Sequence, residues 1–198
     1  MVPAPRLICL GDSITYGYPY GPRASWVHLA QVPGVRLVNR GLNGDTTAGM
    51  LRRLEAEVIA PGSAGAVVLG GTNDAFMGCP AAQYRSNVGE MVSRLKAAGI
   101  EPILGTVTPV HLGVASQGFP GQGLQIKRAV QLLEEYRRWL RSWAQDQEVP
   151  LMDFAAVFCF QKELPAGHLL IDGVHPSREG YRLMAAEARR VLTDLFPI

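Results

Sequence analysis

Short apolar runs alternate along the chain with longer segments in which apolar residues recur every three to four positions. The short runs predict five β-strands. Several runs are almost continuously apolar, which is typical of strands that are covered on both faces. The predicted strands span residues 6–11, 36–41, 66–71, 102–107 and 149–154.

The segments between the strands have the spacing of helices with one buried face. The capping-type cluster Asp45-Thr46-Thr47 precedes the first of them, and Gly99 follows the second as a helix C-cap would. His28 lies in a shorter helical stretch, "SWVHLAQ". The four long helices are predicted over residues 46–59, 81–98, 124–147 and 177–196.

The alternation of strands and helices predicts the fold class. Strand–helix repeats with short connections form right-handed crossovers, so we expect an α/β protein with a parallel sheet covered by helices on both faces. A chain of 198 residues is long enough to bury a core, and residues 1–198 are interpreted as one domain. Residues 108–123 are predicted to form a long irregular loop that is functional or mobile, and its glycines would let it move as a lid.

Composition excludes several classes of partner and site. The net charge of +2 is spread along the chain without a basic block, so neither nucleic acid nor an anionic membrane is expected as partner. Three cysteines are an odd number without ligand spacing, and the four histidines show no metal-binding spacing. We therefore expect no disulfide framework and no metal.

Targeting signals are not evident in the sequence. The start, "MVPAPRLICLGDS", lacks a basic region followed by an apolar one, which predicts that no signal peptide is present. No apolar run approaches the ~20 residues of a membrane-spanning helix, so no stable membrane insertion is expected. The prediction is a reduced cytoplasmic protein whose oligomeric state the sequence does not determine.

Residues whose side chains or backbone amides could take part in catalysis follow several of the predicted strands. The carboxyl ends of parallel strands share one edge of a sheet, where open α/β folds bind their ligands. We therefore expect these side chains to converge at that edge. They are Ser13 after the first strand, Gly44 after the second, Asn73 after the third, and Asp172 and His175 before the last helix.

This set of residues is suited to acyl transfer. A serine hydroxyl such as Ser13 becomes a nucleophile when an adjacent base takes its proton, and His175 titrates near neutrality. Asp172 would orient the imidazole and stabilise the imidazolium. The tetrahedral intermediate needs hydrogen-bond donors, which the amides of Ser13 and Gly44 and the side chain of Asn73 would supply.

Four short blocks carry a resemblance to a known family. "GDSIT", "LNGDTT", "GGTND" and "DGVHP" resemble, in order and separation, the blocks of the SGNH hydrolases, also called the GDSL lipase/esterase family. The similarity extends from Gly11 to Pro176. It implies a three-layer α/β/α, flavodoxin-like fold, no cofactor, and hydrolysis of small-molecule esters or thioesters. It also implies a catalytic triad of Ser13, Asp172 and His175 and an oxyanion hole of Ser13, Gly44 and Asn73.

Each of these residues also has an ordinary structural interpretation. Ser13 could cap the following helix, although Asp12 is the better candidate for that cap. Asn73 and Asp172 could be turn residues, and His175 could simply precede the last helix. Taken together, however, these structural interpretations do not explain why all of these residues are expected at one edge of the sheet.

The substrate is less well defined than the chemistry. Tyr16, His111 and Phe119 lie close enough to the predicted site to be candidate substrate-binding residues, and a modest apolar pocket predicts short acyl chains. A carbohydrate O-acetylesterase or an acyltransferase would use the same residues. An inactive binding domain is a further alternative. A phosphate or nucleotide binder is disfavoured, because "GDSITYG" lacks the spacing of a phosphate-binding loop.

Overall fold

Five parallel strands form the central sheet of the computed structural model, which describes residues 4–118, 121–159 and 168–197. The strand order is β2-β1-β3-β4-β5. The strands are β1 (Arg6–Gly11), β2 (Arg36–Gly41), β3 (Gly65–Leu69), β4 (Glu101–Gly105) and β5 (Leu151–Met152). This is the flavodoxin-like order, in which the chain reverses its direction of winding between β1 and β3 and opens a crevice at the carboxyl edge.

Helices cover both faces of this sheet. The helices are α1 (Ser13–Tyr16), α2 (Trp26–Ala30), α3 (Thr47–Leu54), α4 (Thr72–Phe76), α5 (Ala81–Ala97), α6 (Leu112–Gly118), α7 (Gly123–Asp146), α8 (Phe154–Cys159) and α9 (Arg178–Leu195). A 3₁₀ turn spans Pro22–Ala24, and a π-helical turn, Glu55–Ile59, extends α3.

Two apolar cores lie on opposite faces of the sheet. Along β1, Ile8 and Leu10 point into the core formed with α3, α5 and α7, whereas Leu7 and Cys9 point into the core formed with α2, α8 and α9. This alternation follows from the two-residue period of a strand. The three-layer α/β/α architecture expected from the sequence is confirmed.

The predicted strands and long helices are all present, with small changes at their ends. β3 ends at Leu69 rather than at Gly71, because Gly71 has a φ of 128°, which is outside the strand region. β5 shortens to Leu151–Met152. The π-helical turn ends at Ile59, where the Ala60 amide donates to the Glu55 carbonyl oxygen at 2.9 Å.

The interpretation of residues 108–123 as wholly irregular is wrong, because α6 forms within them. The helix starts after His111, whose Nδ1 accepts a hydrogen bond from the Val114 amide at 3.2 Å. Its single buried residue, Ala115, packs with Ile126 and Val174. One buried position gives no visible periodicity, which is why the apolar pattern did not indicate this helix.

None of the described helices is both long enough and apolar enough to cross a bilayer.

Candidate active site

Ser13 lies directly beyond the end of β1, as the first residue of α1. The helix cap is Asp12, whose Oδ1 accepts a hydrogen bond from the Ile14 amide at 2.9 Å. The interpretation of Asp12 as the cap is therefore confirmed, and the Ser13 hydroxyl is not used for capping. Gly11 allows this turn, since a Cβ there would lie 2.6 Å from the Cβ of Thr15.

Ser13, His175 and Asp172 form a continuous chain of side-chain hydrogen bonds. The Ser13 Oγ lies 3.1 Å from Nε2 of His175, and Nδ1 of His175 lies 2.7 Å from Oδ2 of Asp172. Ser13 and His175 are 162 positions apart in the sequence, whereas His175 and Asp172 are three positions apart. The fold thus brings together the three residues expected to form a triad.

A tight turn fixes the aspartate below the histidine. Oδ1 of Asp172 accepts hydrogen bonds from the amides of Val174 and His175, at 2.9 and 2.7 Å. Burial favours the neutral acid, but the hydrogen bonds from the side chain and amide of His175 and the amide of Val174 outweigh it and lower the pKa of Asp172 to about 2. Asp172 is therefore ionised at neutral pH and can accept a hydrogen bond from Nδ1–H, and in a neutral imidazole with its proton on Nδ1, Nε2 can accept a hydrogen bond from the serine hydroxyl.

Two further residues expected to stabilise an oxyanion, Gly44 after β2 and Asn73 in α4 after β3, follow strands that end at the same sheet edge. Gly44 follows β2 in a turn and has a φ of 78°, a conformation that favours glycine. In the described residues, the amides of Ser13 and Gly44 donate no hydrogen bond. Asn73 Nδ2 donates to the Asp45 carbonyl oxygen at 2.8 Å, which orients the side chain and leaves a second N–H.

A buried network of polar side chains connects the start of α3 with α4 and α5. This network had no clear signal in the sequence. Oδ2 of Asp74 accepts from the Thr47 amide at 2.9 Å, and Oδ1 accepts from the Thr47 hydroxyl. Asn87 Nδ2 donates to the same hydroxyl at 2.9 Å. The start of α3 is thereby bonded to α4, which carries Asn73.

Asn39 is a second supporting residue that the sequence analysis missed. Its Nδ2 donates to the Thr15 carbonyl oxygen at 2.8 Å and to the Ser25 Oγ at 3.1 Å, and its Oδ1 accepts from the Gly41 amide at 2.9 Å. A polar residue within the apolar run "RLVNRG" was the available signal. Asn39 holds the end of α1 against β2.

Tyr18 contacts His175 and was not among the expected site residues. Its ring centroid lies 4.6 Å from that of His175. Tyr181 fixes this segment by donating from its hydroxyl to the Tyr18 carbonyl oxygen at 2.8 Å. Tyr18 therefore covers one side of the imidazole while remaining exposed to solvent.

The three candidate substrate-binding residues have different outcomes. Tyr16 is half-buried at the end of α1. The His111 amide donates to the Gly173 carbonyl oxygen at 2.8 Å, which places His111 next to the Asp172–His175 turn. Phe119 lies outside the described residues. Contact of these residues with a substrate stays a prediction.

Asp12 is a buried acid near the triad. Burial raises its pKa to about 7, although the hydrogen bond from the Ile14 amide and the charge of His175 act in the opposite direction. Its Oδ2 is buried and has no hydrogen-bond partner in the described part of the chain. Within the described ranges, no group of three or more His, Cys, Asp or Glu side chains is arranged to hold a metal ion.

Comparison with known proteins places this chain in a family. The GDSL-like lipase/acylhydrolase family model matches residues 9–183. Esterase TesA of Pseudomonas aeruginosa is 32% identical over 117 residues, which are 56% of this chain and 58% of that esterase. Thioesterase 1/protease 1/lysophospholipase L1 of Escherichia coli K12 is 26% identical over 186 residues, which are 92% of this chain and 80% of that protein.

A solved structure has the same fold. A protein assigned to the lipolytic G-D-S-L family, from Desulfitobacterium hafniense DCB-2, matches with a TM-score of 0.79 and 28% identity, over 94% of this chain and 98% of that one. The family model also spans both the nucleophile candidate and the Asp172–His175 turn. The chain therefore belongs to the GDSL-like lipase/acylhydrolase family of ester hydrolases.

Proposed function

We propose that this protein is a serine esterase that cleaves carboxylic esters or thioesters through an acyl-enzyme on Ser13. The observation that carries the proposal is the hydrogen-bond chain from Ser13 through His175 to Asp172. We further propose that it acts as a single domain and in the cytoplasm. The free Cys9 and Cys79 are consistent with a reducing compartment.

Acylation begins with proton transfer from the Ser13 hydroxyl to Nε2 of His175. The ionised Asp172 holds the proton on Nδ1 and stabilises the imidazolium that forms. The Ser13 Oγ attacks the carbonyl carbon, and the carbonyl oxygen becomes an oxyanion. The imidazolium then protonates the leaving alcohol or thiol as the bond to it breaks.

The oxyanion would be stabilised by the Ser13 and Gly44 amides and by the second N–H of Asn73. The Asn73 side chain is oriented before the substrate binds, since it already uses one N–H to bond the Asp45 carbonyl oxygen. Loss of one such donor typically lowers turnover by ~10²–10³-fold. In deacylation, His175 takes a proton from water as the water oxygen attacks the acyl carbon. The imidazolium then returns the proton to the Ser13 Oγ as the bond between Oγ and the acyl carbon breaks, which releases the carboxylic acid and restores the free serine.

Short acyl chains are the proposed substrates. Leu42 and Met77 are exposed apolar residues, 54% and 72% exposed, that are close in sequence to Gly44 and Asn73, and we propose that they offer apolar contact to the acyl group. A small acyl group could use such surface contacts without a deep pocket. A chain-length series of aryl esters should give the highest kcat/KM at acetyl or butyryl, and a maximum at dodecanoyl would contradict this preference.

The first test is the intact mass of the protein after treatment with a fluorophosphonate. We expect one stoichiometric adduct on the wild type and none on Ser13→Ala or His175→Ala. Ser13→Ala should also lower ester turnover by ~10⁴-fold or more without loss of the fold. A folded wild-type protein that forms no adduct would overturn the proposal and favour a binding domain.

A further inference from the structure

Arg53 is an arginine of α3 whose side chain is only 13% exposed and whose guanidinium makes four hydrogen bonds. In the part of the chain that the structure describes, it makes no hydrogen bond to Ser13, Asp172 or His175. Its partners are Oδ2 of Asp45 at 2.7 Å, Oε2 of Glu57 at 2.8 Å, and the carbonyl oxygens of Arg40 and Gly11, each at 2.9 Å.

Two of these partners lie at the ends of the strands that carry the site. The Gly11 carbonyl ends β1, two residues before Ser13, and the Arg40 carbonyl is near the end of β2, before the turn with Gly44. The planar guanidinium presents its donors at fixed angles, so bonds to both carbonyls restrict the separation of the two strand ends. Arg53 therefore connects the backbone that leads to the nucleophile with the backbone that leads to Gly44.

The third partner, Asp45, is linked to two of the proposed oxyanion donors, Gly44 and Asn73. Its amide nitrogen belongs to the peptide that follows Gly44, and its carbonyl oxygen accepts the hydrogen bond from Asn73. Its carboxylate is held by Arg53 and by the Thr46 amide, at 2.7 and 2.9 Å. Movement of Asp45 would thus displace both Gly44 and Asn73.

The Arg53–Asp45 pair is well shielded from solvent, with 13% and 8% of the side chains exposed. Removing one partner of a buried ion pair leaves the other charge uncompensated and free to seek water. Loss of the guanidinium would therefore release the Asp45 carboxylate from its place beside the first turn of α3.

We propose that Arg53 is a positioning residue of the oxyanion hole. Through Asp45, it holds Gly44 and Asn73 in the geometry that binds the oxyanion of the tetrahedral intermediate. The inference rests on the proposed function, because it assumes that Gly44 and Asn73 bind the oxyanion. It adds a residue that lies outside the hydrogen-bond chain from Ser13 to Asp172.

The direct test compares Arg53→Met with Arg52→Met, a neighbouring arginine on the exposed side of α3. We expect Arg53→Met to lower kcat by ~10²-fold, as loss of an oxyanion donor does, with KM within about threefold of the wild-type value. Arg53→Lys, which keeps the charge without the planar fork, should be intermediate. Arg52→Met should retain wild-type kcat.

A second measurement separates a lost oxyanion hole from general weakening of the protein. An arylboronic acid forms a tetrahedral adduct with an active serine, whereas the carboxylate product binds without one. Arg53→Met should bind the boronic acid more weakly in proportion to its loss of kcat/KM, with an unchanged affinity for the product. Equal loss for both ligands would show a merely structural role and overturn the proposal.

A pair of glycine substitutions tests the same idea without removing the arginine. In α3, a Cβ on Gly49 would overlap the Asp45 carboxylate, with Cγ of Asp45 only 3.0 Å away. In α5, the nearest atom to a Cβ on Gly89 is 4.0 Å away, on Trp143. Gly49→Ala should therefore lower kcat at least 10-fold, whereas Gly89→Ala should not.

The outcomes distinguish this proposal from the function on which it rests. If the wild type forms no fluorophosphonate adduct and hydrolyses no ester, both the proposed function and the role of Arg53 are overturned. If the wild type is active and both Arg53→Met and Gly49→Ala retain more than about a third of its kcat, only the role of Arg53 is overturned. If Arg53→Met does not fold, the comparison of Gly49→Ala with Gly89→Ala decides.

Discussion

Gly173 packs so closely against Ala115 that a Cβ on Gly173 would lie 2.8 Å from the Ala115 Cα and 2.8 Å from the His111 carbonyl oxygen. The His111 amide also donates to the Gly173 carbonyl oxygen at 2.8 Å. Helix α6 therefore supports the turn that carries Asp172 and His175. The segment predicted as a loop thus contacts the turn that carries Asp172 and His175, which its apolar pattern did not indicate.

Replacement of Gly173 by alanine should impair the triad. Gly173 has a φ of 81°, so alanine introduces backbone strain of about 1 kcal/mol in addition to the overlap with Ala115. Gly121 has the same φ of 81° but open space around a Cβ, which makes Gly121→Ala a matched control. We expect at least a 10-fold loss of kcat for Gly173→Ala and less than a twofold change for Gly121→Ala. Wild-type turnover in both variants would show that α6 does not hold the turn.

The lowered pKa of Asp172 predicts a dependence of stability on pH. Because the folded-state pKa of about 2 is below the ordinary value of 3.8, ionised Asp172 stabilises the fold above about pH 4. This stabilisation, about 1 kcal/mol for a partly exposed group, is lost as the pH falls through 2. In urea unfolding, the free-energy difference between wild type and Asp172→Asn should narrow from pH 6 to pH 2. A constant difference over that range would contradict the assignment.

The sheet, and the placement of Ser13, Asp172 and His175 at one edge of it, could be predicted because their signals are local. Apolar runs mark the strands, and the residues that follow Gly11 and Gly41 must meet at one edge once the strands are parallel. The chemistry proposed for Ser13, Asp172 and His175 was inferred from residue type. The hydrogen bonds among these three residues agree with that expectation.

The supporting residues could not be predicted, because their roles depend on contacts between distant segments. Arg53 has the sequence signature of an ordinary helix-surface arginine until its bonds to Gly11 and Arg40 are seen. Tyr18 reaches His175 only because the chain turns back after α1. Residue type and periodicity do not encode such relationships.

Asp12 should give the opposite pH dependence to Asp172. Its pKa is raised to about 7 by burial, so between pH 4 and pH 7 the unfolded chain ionises Asp12 while the folded protein keeps it protonated. The unfolded state then binds fewer protons, and stability falls as the pH rises through this window. Asp12→Asn retains the acceptor for the Ile14 amide and removes the titration. In urea unfolding, the variant should gain on the order of a few kcal/mol over wild type between pH 4 and pH 8. An unchanged difference would place an ionised Asp12 in the folded protein.

Two threonines offer a matched test of the buried network between α3 and α4. The Thr47 hydroxyl donates to Asp74 and accepts from Asn87, whereas the buried hydroxyl of Thr72 has no hydrogen-bond partner among the residues that the structure describes. Thr47→Val should lower the free energy of unfolding by ~1–3 kcal/mol, because it leaves buried polar groups unsatisfied. Thr72→Val should be neutral or stabilising, because a methyl group replaces a hydroxyl that is desolvated without compensation. Urea unfolding of both variants measures the contrast. Equal destabilisation would mean that the network contributes no more than the loss of a buried hydroxyl at any position, and that α4 is held in place by apolar packing instead.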